Sequence, residues 1–314
     1  MKKILLLLFF AVLMLTGCTA ESEKNDAKIK IMSSVFPYYD FARNVSDGAD
    51  VSVSMLLPPG AESHSFEPTP KDIIDMQNCD LFIYTGGESD VWIEKILESM
   101  SEPPRTLKIM EHADLLCEEF SEGMEDGHHD HEHDEHGHEC EEYDEHLWTS
   151  PLNAVKAAEA ICAALSEADT ENEELYKANT KRYTDELLSL HDSFEKLTKG
   201  KNITMIFGDR FPFLYFAKEY GINYYAAFPG CSSHTEANAS TIAFLIDKAR
   251  ETKAECIFYM ELSNHLTANV IAEEAGCDIC LFHSCHNLTR VELESGETYI
   301  SLMNKNLEML KNAF

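Results

Sequence analysis

Residues 171–199 read ENEELYKANTKRYTDELLSLHDSFEKLTK, and the fold turns on how this stretch is read. Leu175, Ala178, Tyr183, Leu187, Leu190, Phe194 and Leu197 recur near the spacing of one helix face. No Gly or Pro interrupts residues 152–199. At ~1.5 Å per residue, a helix over 170–198 makes a rod of roughly 40 Å, long enough to join two lobes stiffly. The competing reading is two surface helices broken near Asp169-Thr170.

Both flanks of the rod show the same style. Upstream, residues 29–35 (IKIMSSV), 51–57 (VSVSMLL) and 80–85 (DLFIYT) read as short β-rich strands, with a helix at 90–99. Downstream, strands are expected at 203–208, 222–227, 255–260 and 278–282. Helices are expected at 211–220, 236–252, 264–275 and 298–312. Strands alternating with helices predict parallel βα units. The expected fold is therefore α/β: two lobes of parallel βα units joined by one long helix. A length of 314 residues suits about two domains.

The chain begins with an address. Lys2 and Lys3 precede an unbroken apolar run from residue 4 to 15. Twelve residues are too few to span a bilayer, which takes ~20, but they fit a secretory signal peptide. Leu15-Thr16-Gly17-Cys18 follows and resembles a bacterial lipobox, in which the Cys is acylated. The competing reading is an ordinary signal peptide with a chance Cys. The expected organisation is a signal peptide at 1–17, a lipidated Cys18 and a polar tether at 19–27. A first lobe over 28–168, a linking helix over 169–199 and a second lobe over 200–314 then follow. A lipid anchor implies an extracytoplasmic location at the cell membrane.

Composition narrows the partners. There are 25 Lys plus Arg against 56 Asp plus Glu, a net charge of −31. Nucleic acid is excluded as a partner, because phosphate binding needs a basic face; cations are favoured. Ten cysteines leave nine once Cys18 is lipidated, so at least one stays unpaired. Cys277 and Cys280, with Cys285 near, read as half a zinc site or a redox pair, and without a second CxxC a four-cysteine zinc site is not expected. Cys162 and Cys256 sit in apolar surroundings and read as core.

No Lys or Arg occurs from residue 109 to 155. Within an acidic loop at 121–142 lie His128, His129, His131, His133, His136 and His138. Imidazoles mixed with carboxylates have the composition of a metal-binding tract. The tract has no apolar periodicity to fix one geometry, so it reads as an accessory collector or sensor; the plain alternative is a solvated loop.

A specific site belongs outside the carboxyl ends of the strands, where open α/β sheets bind ligands. Metal-ligand residue types stand just there: His64 after a Pro-Pro-Gly turn, Asp209, Glu261, His283 and His286, with His146 before the long helical segment. A lone loop His is more often a plain surface residue, and Glu261 reads equally as a buried acceptor holding a loop.

LLPPGAESHSFEPTPKDI (56–73), DLFIYTGGESDVWIEK (80–95), EHLWTSP (145–151), LYFAKEYGI (214–222), TEANASTIAFLIDKARE (235–251) and YISLMNKNLEML (299–310) together resemble the extracytoplasmic metal-binding lipoproteins of zinc and manganese ABC transporters. The resemblance runs in order over roughly residues 28–314, and the His-rich loop resembles the zinc members. It implies a metal site in the cleft between the lobes, with two side chains from each. His64 and His146 match the first-lobe ligands. In the second lobe the family positions fall on Arg210, which cannot ligate a metal, and near Ser284. The expected set is therefore His64, His146, Asp209 and His283, with Glu236 and His286 in reserve. Three imidazoles and one carboxylate suit tetrahedral Zn²⁺; Mn²⁺ would favour more carboxylates. The implied function is capture of Zn²⁺ and delivery to an ABC transporter permease by a monomeric, membrane-anchored carrier. Mn²⁺ or Fe²⁺ carriage is the runner-up. A secreted zinc hydrolase and an adhesin are the rivals from other classes, and neither HExxH nor GxSxG occurs.

Overall fold

The computed structural model describes residues 27–62, 66–124, 140, 142–232 and 237–314. The expected signal peptide, Cys18, most of the tether, His64, the six loop histidines and Glu236 lie outside the described residues.

Two four-stranded, all-parallel sheets form the lobes. In the first, β1 (Ile29–Ser33), β2 (Val51–Met55), β3 (Leu81–Tyr84) and β4 (Arg105–Lys108) take the order β2-β1-β3-β4. In the second, β5 (Thr204–Phe211), β6 (Asn223–Pro229), β7 (Cys256–Tyr259) and β8 (Asp278–Leu281) take the order β6-β5-β7-β8. Each lobe thus starts on an inner strand, steps to one edge, then returns to the other side. That reversal is what opens a crevice at the strands' carboxyl ends.

One face of each sheet carries its lobe's own helices. In the first lobe Met32, Leu56, Met76, Phe82, Ile93 and Leu97 cluster there, from the strands, α2 (Pro70–Gln77) and α3 (Val91–Ser99). In the second lobe Ile206, Ala227, Leu245, Ile257, Ala268 and Ile271 do the same, with α7 (Ala239–Thr252) and α8 (Leu266–Ala275). Gly208 lets α8 approach β5, since a Cβ there would stand 2.4 Å from the Ala268 Cα.

The other faces share one continuous core. It runs from Ile29 to Ala313 through α1 (Phe36–Val45), α4 (Pro151–Ala168), α5 (Glu173–Thr198), α6 (Leu214–Tyr220) and α10 (Tyr299–Ala313). Both readings of the long segment hold in part. The helix breaks at Asp169, whose carboxylate accepts hydrogen bonds from Asn172 (2.6 Å), Tyr176 Oη (2.8 Å) and Lys28 (3.0 Å). Beyond it α5 still runs 26 residues, ~39 Å at 1.5 Å per residue. One face of it is buried, with Tyr176, Leu187 and Phe194 fully enclosed, and the opposite face is open to solvent. Its first half is tied to the first lobe, where Asn179 donates to Val45 O (3.1 Å) and Asp47 O (2.8 Å), and Tyr183 donates to Asp40 (3.1 Å). Its second half meets the second lobe, with the Phe194 ring 5.0 Å from Phe216 and His191 Nδ1 2.7 Å from Glu219. Among the described residues no helix is long and apolar enough to cross a membrane.

Candidate functional site

The cleft opens where the two lobes face each other. Its walls are Ala61, Glu62 and His146 from the first lobe. The second lobe adds residues from the ends of all four of its strands: Arg210 and Pro212, Gly230, Met260 to Leu262, and Ser284, His286 and Asn287. The space inside is about 30 Å³ and partly open to solvent, enough for an ion or one or two waters.

His146 is the best-prepared residue in it. It is 2 % exposed. Asp144 accepts from both the His146 backbone N–H (2.8 Å) and its Nδ1 (3.2 Å). A carboxylate on Nδ1 orients the ring and puts the lone pair on Nε2, the usual preparation of a ligating histidine. Gly230 lets the second lobe approach, since a Cβ there would lie 3.1 Å from the imidazole. Across the lobe boundary the His286 ring stands 5.6 Å from His146 and 4.9 Å from Trp148.

Trp148 and the 284–288 segment fasten the lobes at this point. Trp148 Nε1 donates to Ser284 O (2.9 Å), and Tyr299 Oη donates to Trp148 O (2.5 Å). Asn287 Nδ2 donates to Pro58 O and Ala61 O, each at 2.8 Å. Gly60 N donates to Leu288 O (2.7 Å) and Phe36 N to His286 O (3.2 Å).

The second-lobe expectations shift by a few residues. Asp209 does not line the cleft. The β5–β6 register runs Phe207↔Ala226, then Arg210↔Phe228, so β5 carries one extra residue. Such a bulge re-aims side chains, and here Arg210 takes the cleft-facing place. Asp209 instead accepts from Arg210 N (2.9 Å) and Met260 N (3.5 Å), holding the bulge to the end of β7. His283 does not line the cleft either. It is 3 % exposed, with Nδ1 3.7 Å from Glu261 and Nε2 3.6 Å from Glu292. Contact with His283, aided by Thr289, holds the Glu292 pKa down at about 2. Two residues on, Cys285 adopts φ 59°, a left-handed turn that carries the chain round so that His286, the reserve residue, faces His146.

Glu261 lines the cleft and is held by Ser284, whose N–H (2.7 Å) and Oγ both donate to it. Two participants were not singled out from sequence: Glu62, and Arg210 in a paired role. Arg210 Nη2 lies 3.0 Å from Glu62 Oε1, and Nη1 donates to Ser232 O (3.2 Å). A glycine inside a predicted strand, in FGDRF, was the available signal of a bulge. Among the described residues no three His, Cys, Asp or Glu side chains are gathered closely enough to hold one ion.

The first-lobe wall is acidic beyond the cleft. Glu118 and Glu145 both have raised pKa values, burial being the main cause. Asp90 is pushed up to about 7 by burial, with the Glu145 charge contributing. A disulfide joins Cys117 and Cys140 (Cα–Cα 5.7 Å), and so brackets the stretch holding the six loop histidines. Cys79, Cys162, Cys231, Cys256, Cys277, Cys280 and Cys285 are free thiols. Cys162 and Cys256 are buried as expected, and Cys277 and Cys280 are not disulfide-bonded to each other.

Comparison with known proteins gives this geometry a family. The chain is 32% identical over 314 residues to the zinc-binding lipoprotein AdcA of Streptococcus pneumoniae (strain ATCC BAA-255 / R6), matching 99% of this chain and 61% of AdcA. It therefore spans about three-fifths of that relative's length. It is 30% identical to the high-affinity zinc uptake system protein ZnuA of Bacillus subtilis (strain 168), over 96% of this chain and 94% of that protein. The solved Zn(II)-bound ZnuA-like domain of S. pneumoniae AdcA superposes with a TM-score of 0.73 at 27% identity, covering 91% of this chain and 98% of that domain. With residues 31–313 matched by the family model, the chain belongs to the ZnuA family, the zinc-uptake complex component A periplasmic proteins.

Proposed function

We propose that this protein captures one Zn²⁺ in the cleft between its lobes and delivers it to the permease of an ABC transporter. The observation that carries the reading is the pair His146 and His286, which meet across the lobe boundary with Asp144 behind His146. The proposed ligands are His64 and His146 from the first lobe, and His286 and Glu261 from the second. Glu62, two residues before His64 in the chain, lines the cleft, which supports His64. His286 and Glu261 replace His283 and Asp209 as second-lobe ligands. His283 is enclosed by Glu261 and Glu292, and Asp209 is committed to the bulge.

Three imidazoles and a carboxylate form a closed tetrahedral Zn²⁺ site with no position left for a reactive water. That is the property of a carrier, not of a hydrolase, and it suits zinc over manganese. Wide hinge opening is disfavoured, because α5 is tied to both lobes along its length. Imidazoles bind metal only when neutral, so capture weakens in acid. The His-rich segment acts as an accessory collector of zinc. Lipidation of Cys18 anchors the monomeric carrier at the outer face of the membrane.

The test is a competition titration of the chain from residue 19 onward, with Zn²⁺ and Mn²⁺, beside a version lacking 125–139. That deletion keeps Cys117 and Cys140. The expected result is one tight zinc site in both versions and additional weak sites in the longer one. Loss of tight binding on deletion, or preference for Mn²⁺, overturns the reading.

A further inference from the structure

We propose that Arg210 sets the affinity of the cleft for its cation by standing inside it as a permanent positive charge, with Glu62 of the opposite lobe as its neutralising partner. The proposal rests on the cation-capture reading above and deepens it. Arg210 lines the same small space as His146, His286 and Glu261. Its side chain is 13 % exposed, and two contacts hold it there: Nη2 against Glu62 Oε1 at 3.0 Å, and Nη1 donating to Ser232 O at 3.2 Å. The bulge in β5 puts it there, because an unbulged strand would set Asp209 opposite Phe228 in its place.

A guanidinium does not lose its proton at any pH where imidazoles bind metal. An arriving divalent cation therefore meets a fixed like charge at short range, in a space partly shielded from water, where such repulsion is strong. Glu62 offsets it. Glu62 follows β2 in the first lobe, whereas Arg210 lies on β5 in the second, so the offset depends on the two lobes facing each other. The cleft thereby holds its cation less tightly than its other side chains alone would, which favours hand-over to an acceptor.

The experiment is zinc competition against a chromophoric chelator on the chain from residue 19 onward, which contains every described residue. The proteins are wild type, Arg210→Gln, Glu62→Gln and the double variant. Arg210→Gln is expected to bind zinc about tenfold more tightly than wild type, and Glu62→Gln about tenfold more weakly. In the Arg210→Gln background, Glu62→Gln is expected to weaken binding by at least as much as in wild type, because each charge acts on the cation directly. Arg210→Lys, which keeps the charge, stays near wild type. If Arg210→Gln does not fold, as judged by circular dichroism, Arg210→Met takes its place; Glu62 is on a half-exposed loop.

Equal or weaker binding by Arg210→Gln overturns the proposal. So does a Glu62→Gln variant that binds zinc as tightly as wild type. If no protein in the set, wild type included, binds zinc, the capture reading fails and this proposal with it; if all bind alike, only this proposal fails.

Discussion

The two lobes are built on one topology, yet they present different walls to the cleft. Each sheet places its first strand inside and reverses direction next to it. In the first lobe the cleft-facing histidine is prepared by residues next to it in sequence: Asp144 holds the ring of His146, and Trp148 lies edge-on to it at 5.5 Å. In the second lobe the cleft-facing side chains are selected by backbone irregularities, the β5 bulge and the left-handed Cys285. Equivalent topology therefore fixes where a site is, and local backbone conformation fixes which residues fill it.

The largest effect is expected from removing histidines on both walls. His146→Ala and His286→Ala should each weaken zinc binding by about a hundredfold or more, at least the upper range for losing a ligand's support. Asp209→Asn and His283→Gln should each change it by less than about tenfold, read in the same competition titration. Should Asp209→Asn equal His286→Ala, the bulge argument fails.

Trp148→Ala tests the fastening between the walls. Trp148 is 2 % exposed and bonded to both Ser284 and Tyr299. Its loss should cost about 3–5 kcal/mol in denaturant unfolding, more than any single cleft histidine.

Glu292 sharpens the second-lobe side. Its pKa in the fold is about 2, against an ordinary 4.5. A depressed carboxylate stabilises the fold above its unfolded pKa and loses that contribution as pH falls through the folded one. Glu292→Gln should therefore be roughly 1–2 kcal/mol less stable than wild type at pH 6. That gap should close between pH 4.5 and 2, as followed by thermal unfolding; a gap that does not depend on pH would contradict the assignment.

The smallest effect is expected at Gly230. A methyl group 3.1 Å from the His146 ring should displace it by a few tenths of an ångström. Gly230→Ala should weaken zinc binding severalfold with less than about 1 kcal/mol lost in stability.

Much of this frame was legible in the sequence because its signals are local. Seven of the eight strands among the described residues, and the helix over 171–199, follow from apolar patterning. The strand not foreseen, Arg105–Lys108, is short and has two exposed residues in four, so it lacks the apolar signature of a buried strand. The Asp169 break was visible as an alternative, but the burial of both helices depends on α1 and α10, whose distance in sequence hides the contact. His146 is legible because EHLWTSP resembles a ligand-bearing stretch of the family; its Asp144 support lies just outside that stretch. Asp209 and His283 stand out in the sequence because the family positions fall on Arg210 and near Ser284, and they are the adjoining residues of ligand type just after a predicted strand. One extra residue in β5 and one positive φ after β8 defeat that placement, and neither contributes to apolar periodicity.

The most direct measurement is anomalous diffraction at the zinc edge from crystals of the chain grown with one equivalent of Zn²⁺. A single strong peak is expected between His146 and His286, within ligating distance of Glu261 and bounded by both lobes. A main peak between Asp209 and His283, on the His-rich segment, or at the free thiols of Cys277 and Cys280 would contradict it.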